Sequence, residues 1–288
     1  MKNMNNSLKN KIKDNIFKYL GIFCTSFGLL MLLIFLGNIL VEGISRINWQ
    51  FISSFPSRNP EKAGILPALV GTIWIMILTS IIAIPLGVSA GIYLEEYGKK
   101  NRLSKIIEIN IGNLAGVPSI IYGLLGLEIF GRIMNMGGSL LAGASTLSLL
   151  ILPVIIVSTR EALKSVPKSI KEASFAMGAS KWQTIWHQLL PASSGGIVTG
   201  IILALSRAIG ETAPLIVIGA LAYVPFVPSS PTDEFSVLPI QIFNWISRPQ
   251  KGFAINAASA IIILLLVTFV LNGIAMYLRN KWQKKVRW

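Results

Sequence analysis

Among 288 residues there is a single cysteine, Cys24, and a single histidine, His187. One thiol cannot build a disulfide framework, and one thiol with one imidazole makes no metal-ligand cluster. Acidic residues are also scarce, twelve against 26 Lys and Arg. Charged residues make up only 13% of the chain, whereas 53% is hydrophobic. A soluble domain with so few charges would be unusual, and an integral membrane protein is expected to have this composition. The net charge of +14 does not point to nucleic acid. The basic residues lie in short clusters between apolar runs and form no extended basic surface. No G-x-x-x-x-G-K-[ST] run occurs, so the chain is not expected to bind ATP. No cluster of nucleophile, base and metal ligands suggests a membrane enzyme. His187 reads as a surface or interface residue rather than a catalyst.

What the chain has in abundance is apolar runs. A polar segment, residues 1–18, precedes a first expected span at about 19–41. That run is longer than the core of a cleaved signal peptide and lacks a small-residue cleavage site, so a retained span is expected. Further spans are expected at about 68–92, 106–130, 140–158, 195–223 and 254–278, with a basic tail at 279–288. The fold class is therefore all-α and integral to the membrane, with six helices in one domain, 19–278. Gly112, Gly116, Gly123 and Gly126 in the third span would let helix backbones approach closely.

Six spans place both termini on one side, and the basic residues indicate which. One set of connections carries Lys2, Lys9, Lys11, Lys13 and Lys18, then Lys99, Lys100, Arg102 and Lys105. The same face holds Arg160, Lys164, Lys168, Lys171 and Lys181, and the tail Arg279, Lys281, Lys284, Lys285 and Arg287. The opposite face has only Arg46, Arg58, Lys62, Arg132, Arg248 and Lys251. Both termini are thus expected in the cytoplasm. The loop before the sixth span is expected to face outward, and Pro225, Pro228, Pro231 and Pro239 restrict its shape, which would suit a docking surface.

Between the fourth and fifth spans lies a polar island, SIKEASFAMGASKWQTIWHQLLP, residues 169–191. Ile170, Ala173 and Met177 recur at helical spacing, as do Trp182, Ile185, Trp186, Leu189 and Leu190. Two short amphipathic helices are expected, hinged at Gly178, the second capped by Ser180 and stopped by Pro191. A surface-lying helix pair would show the same amphipathicity. However, the spacing of Glu172-Ala173, Gly178, Ile185 and Leu190-Pro191 resembles the EAA loop of ABC-importer permeases, with Ser174 in place of the second alanine. That resemblance implies a cytoplasmic coupling element docked on an ATP-hydrolysing subunit.

The fifth span contains LSRAIGETAPL, with Arg207 and Glu211 four residues apart. A lone charge at a helix centre costs about 2.5–3.5 kcal/mol on insertion scales, so such residues face protein or water. On a continuous helix the two share a face, although Arg preceding Glu is the less favourable order against the helix dipole. The pair is either a buried packing ion pair or a cation exposed to a translocation pathway. A guanidinium forks onto oxyanion oxygens, and Glu211 could accept a hydrogen bond from a protonated substrate oxygen. Phosphate carries such a proton near neutral pH and sulfate does not. Gly210 and Pro214 loosen the helix at this point.

Together with the island, the stretches SRNPEKAGILPALVGTIW, IPLGVSAGIYLEEY, GVPSIIYGLLGL and SRAIGETAPLIVIGA resemble the permeases of phosphate ABC importers, over residues 50–280. The Gly-Glu-Thr-Ala-Pro run is closest to their A-type (PstA) subunit. The resemblance implies a type I importer fold and a homologous C-type permease partner. It also implies two cytoplasmic ATP-binding subunits that carry ATP and magnesium, with no cofactor on this chain, and an extracytoplasmic phosphate-binding protein. Glu172, Ala173 and Gly178 match the ATPase-contacting loop motif, and Arg207 and Glu211 match the charged residues of the pathway. The alternatives are a permease for another oxyanion, of the sulfate or molybdate type, and an ion-coupled secondary transporter. The latter usually shows internal repeats and paired broken helices.

Overall fold

A computed structural model describes residues 2–98, 101–220 and 223–283, and these are helical almost throughout. The helices are α1 (Lys2–Gly43), α2 (Trp49–Ser53), α3 (Leu66–Ile92), α4 (Arg102–Leu114), α5 (Ser119–Gly126) and α6 (Leu140–Lys164). There follow α7 (Lys168–Ala176), α8 (Lys181–Thr184), α9 (Leu190–Ile209), α10 (Ala213–Ile218), α11 (Leu238–Ile246) and α12 (Lys251–Gln283). Wider π-helical turns at Tyr93–Tyr97 and Leu127–Ile133 extend α3 and α5, and a third at Ile185–Leu189 joins α8 to α9. Five helices of the described residues are long and apolar enough to cross a membrane. A sixth crossing is available only if the bent pair Ser104–Leu114 and Ser119–Ile133 counts as one span.

The bundle is organised around α6, which packs against α3, α9, α5 and α10. Within its most apolar stretch 67% of residues are buried, whereas the corresponding stretch of α1 has none. Lipid offers no hydrophobic drive for helices to associate, so close backbone approach must supply the attraction. Two small-residue stripes provide it. Gly87 and Gly91 on α3 sit against Ile155 and Thr159 of α6, where an added Cβ would lie 2.6 Å from Ile155 Cγ2 or 2.7 Å from Thr159 Cβ. On the other flank Gly196 and Gly200 of α9 sit against Ala162 and Ser158. Gly91→Leu should therefore push α3 off α6, at an overpacking cost of about 1–3 kcal/mol. Melting of the purified protein in detergent should drop clearly for this variant. Gly28→Leu, at a site with no neighbour within 4 Å, should leave it unchanged.

A second core lies at the other end of α3. Phe51, Ile65, Leu238, Trp245 and Phe253 are fully buried there, joining α2, α11 and α12. The first residues of α6 are pinned to the loop before α11. Leu140 N–H donates to Asp233 O (3.0 Å), and Leu141 N–H to Pro231 O (2.8 Å). Asp233 in turn accepts from the Ser229 and Ser230 N–H groups at 2.9 Å, bonds that hold its carboxyl below the ordinary value.

Several helix boundaries depart from those expected. No break separates residues 1–18 from the first apolar run, because α1 is continuous from Lys2. The fourth helix continues past Ser158 to Lys164, with Pro153 inside it. The third expected span is not one rod: its halves meet at 105° around Ala115–Pro118. Pro191 does not stop the second island helix, which runs on into α9 through the Ile185–Leu189 turn. That wider turn accommodates a ring that lacks an N–H and would otherwise crowd the preceding turn. Nor does the fifth helix reach residue 223; it ends at Ile209, and 221–222 lie outside the described residues. Lys99, Lys100, Lys284, Lys285 and Arg287 also lie outside them.

Candidate functional site

Arg207 stands in the last turn of α9, and Gly210 closes the helix with its N–H on Arg207 O. Glu211 falls in the gap before α10, so the two residues are not on one continuous helix. They nevertheless meet, Arg207 Nε donating to Glu211 Oε1 at 3.3 Å. The break reverses the dipole argument for this order of charges. A cation at the C-terminal end of α9 and a carboxylate at the N-terminal approach to α10 each sit at the helix end that favours them. The bond is longer than the 2.7–2.9 Å typical of a tight charge-assisted pair. Arg207 retains 41% side-chain exposure against 16% for Glu211. Among the described residues neither terminal nitrogen of the guanidinium has a hydrogen-bond partner.

The surroundings are built from a second break. α10 packs on α5, which follows the sharp bend after α4. Gly123 permits the contact, since a Cβ there would lie 2.7 Å from Pro214 Cα. The bend leaves helix-end carbonyls to be satisfied, and the buried Tyr122 hydroxyl donates to Leu114 O at 2.7 Å. Irregular backbone at membrane depth is tolerated where it is buried in protein or lines a wet cavity. Two broken helices in contact are thus present, a feature that secondary transporters share, and they do not by themselves separate the two classes.

The island adopts the hinged shape. α7 ends at Ala176 with Met177 as its cap, and Gly178 takes φ +80°, the left-handed region in which glycine carries no Cβ penalty. Ser180 caps α8 in a reciprocal box: Ser180 N–H donates to Gln183 Oε1 (2.8 Å) and Gln183 N–H to Ser180 Oγ (3.3 Å). Glu172, Ala173 and Gly178 are all exposed. The apolar stripe of the second helix splits. Ile185 and Leu189 are buried with Leu163, while Trp182 and Trp186 stack on each other at 5.6 Å and stay more than half exposed. Met177 is 88% exposed, so the hinge presents an apolar surface on an otherwise polar element. Ser174, the departure from the motif's second alanine, reaches across the hinge to Thr184 Oγ1 at 2.9 Å. His187 is exposed, its Nδ1 3.1 Å from Gln183 O.

Sequence reasoning missed a third feature. Arg160, counted in the sequence only among the basic residues of the face expected to be cytoplasmic, is buried. Its Nη2 lies 2.9 Å from Glu108 of α4, and its Nε 3.6 Å from Glu95. These residues line a cavity of about 850 Å³ together with Lys164, Arg102 and Lys105. The only available signal was two adjacent acids in YLEEY just past an apolar run. The structure does not bring Arg207 and Glu211 together with Glu172, Ala173 and Gly178. The charged pair sits at the far end of α9 from the island.

Residues 83–284 match the family described as binding-protein-dependent transport system inner membrane component. The chain is 31% identical to the probable ABC transporter permease protein YqgI of Bacillus subtilis (strain 168), over 97% of this chain and 99% of that one. It is 32% identical to the phosphate transport system permease protein PstA 1 of Mycobacterium tuberculosis (strain CDC 1551 / Oshkosh), over 95% of this chain and 90% of that one. In fold it is similar to a chain of a bacterial alginate ABC transporter crystallised with a pentasaccharide-bound periplasmic protein. There the TM-score is 0.69 and the identity 16%, over 96% of this chain and 98% of that one. The chain thus belongs to the family of binding-protein-dependent transport system inner membrane components, and is a membrane-spanning permease subunit of an ABC importer with the type I fold.

Proposed function

We propose that this permease forms, with a homologous C-type partner, the pathway of an ATP-driven importer of inorganic phosphate in a bacterial inner membrane. One observation carries the substrate reading. Arg207 is tied loosely, through Nε alone, so its terminal nitrogens remain available to fork onto two oxygens of an anion. Glu211 beside it can accept the hydrogen bond that a protonated phosphate oxygen donates. Similarity to phosphate permeases over nearly the whole chain supports the same reading.

In this proposal both termini and the island face the cytoplasm. Two ATP-binding subunits carry ATP and magnesium, and the exposed Met177, Trp182 and Trp186 offer them an apolar docking surface around Glu172, Ala173 and Gly178. An extracytoplasmic binding protein delivers phosphate to the opposite face. The test is co-purification of the assembly followed by uptake into proteoliposomes. ATP- and binding-protein-dependent accumulation of phosphate, undiminished by excess sulfate, is the expected result. Uptake of sulfate or molybdate in preference to phosphate would reject the substrate assignment.

A further inference from the structure

Where α3 ends, the π-helical turn Tyr93–Tyr97 places two adjacent carboxylates against different parts of the molecule. Glu96, whose side chain is only 4% exposed, receives Lys171 of α7, with Nζ 2.6 Å from Oε2 and 2.7 Å from Oε1. Glu95 faces Arg160 of α6, and Arg160 reaches on to Glu108 of α4. Tyr97 of the same turn lies 4.6 Å under the Lys181 ammonium of α8. α7 itself buries no residue. Its close backbone neighbours are α8 and the turn that follows, and a cleft of about 390 Å³ separates it from the ends of α3 and α6. Among the described residues, Lys171–Glu96 is the ion pair that spans this cleft.

We propose that the Tyr93–Tyr97 turn is the joint through which movement of α7 reaches the bundle, with Lys171 and Glu96 as its positioning residues. A carboxylate buried as deeply as Glu96 cannot be left without its cation except at a steep desolvation penalty, so the turn follows α7 rather than releasing it. Glu95, one residue away on the same turn, then shifts against Arg160 and Glu108. The joint therefore acts on α4 and α6 around the 850 Å³ cavity. The Lys171 contact also sits one residue from Glu172, so any load on the exposed motif is taken up where it arises.

The inference rests on the reading of the island as the ATPase-coupling element, and the experiment separates the two. In the complete transporter, a cysteine at exposed Ala176 is cross-linked to the ATP-binding subunit, and phosphate moved per ATP hydrolysed is measured in proteoliposomes. Lys171→Ala and Glu96→Gln should keep the cross-link while this ratio falls at least ~5-fold, the lower end of typical coupling factors. Glu96→Lys combined with Lys171→Glu should recover most of it, a rescue that loss of general stability would not show. An unchanged ratio in the single variants with the cross-link intact, or a swap as impaired as either single variant, overturns the joint alone. Absence of the cross-link in the unsubstituted transporter overturns the coupling reading itself, and the joint with it. If Glu96→Gln does not assemble, Lys171→Ala and the swapped pair decide the matter.

Discussion

Arg207→Gln is expected to abolish phosphate uptake while leaving the transporter assembled. Glutamine keeps a polar side chain of lesser reach but loses the charge and the planar fork. Each hydrogen bond to a charged group is worth about 1.5–3 kcal/mol, so losing two from the bound anion should cost roughly a hundredfold or more in uptake. The variant also leaves Glu211 without its counter-ion, and the remaining negative charge repels the substrate. Stability should fall modestly: the pair is long at 3.3 Å and its arginine is 41% exposed, but Glu211, 16% exposed, is left without its cation. Arg207→Lys should be intermediate, with the charge retained and the bidentate geometry lost. Uptake by Arg207→Gln close to that of the unsubstituted protein would show the pair to be a packing device only.

Gly178→Asp is the second large effect. A Cβ at residue 178 meets nothing within 4 Å, so the substitution is not refused by sterics from neighbours. Its costs are the backbone conformation at φ +80°, about 1–2 kcal/mol for most residues and less for Asp, and a negative charge at the tip of the hinge. Beside Met177 and the Trp182–Trp186 stack, that charge would face whatever covers the apolar surface. ATP hydrolysis should continue at its unstimulated rate while phosphate uptake falls at least ~10-fold, within the range of typical coupling factors. Phosphate recognition should be unaffected. Gly178→Asn, which tolerates the left-handed conformation without adding charge, should retain most of the activity. If Gly178→Asp transports with an unchanged ratio of phosphate to ATP, the hinge lies on the surface without a coupling role.

Much of this architecture was readable one segment at a time. The Gly178 turn and the Ser180–Gln183 cap depend on backbone conformation and on groups three residues apart, and both stand where the local pattern put them. Pro191 shows the limit of such reasoning. As a residue type it stops helices, yet a wider turn before it lets α8 and α9 run on as one. The break after Ile209 was signalled by Gly210 and Pro214. Its consequence, a charge order that suits two helix ends rather than opposing one, needed the geometry. The bend between α4 and α5 was hidden, since Gly116 and Pro118 lie within an apolar run that hydropathy alone joins into a single span.

By itself the amino-acid sequence determined an all-helical membrane protein, the residues that carry charge into it, and a hinged polar island. Each of these follows from composition, or from periodicity over a few turns. Only the tertiary structure decided which charges meet across separate elements. Glu96 and Lys171 are 75 residues apart in the chain, and Arg160 draws together Glu95 and Glu108 from two other elements. Such pairs form because helices approach along glycine stripes and a buried charge must then find a counter-ion across the gap. Spacing along a single segment cannot encode which neighbour supplies it.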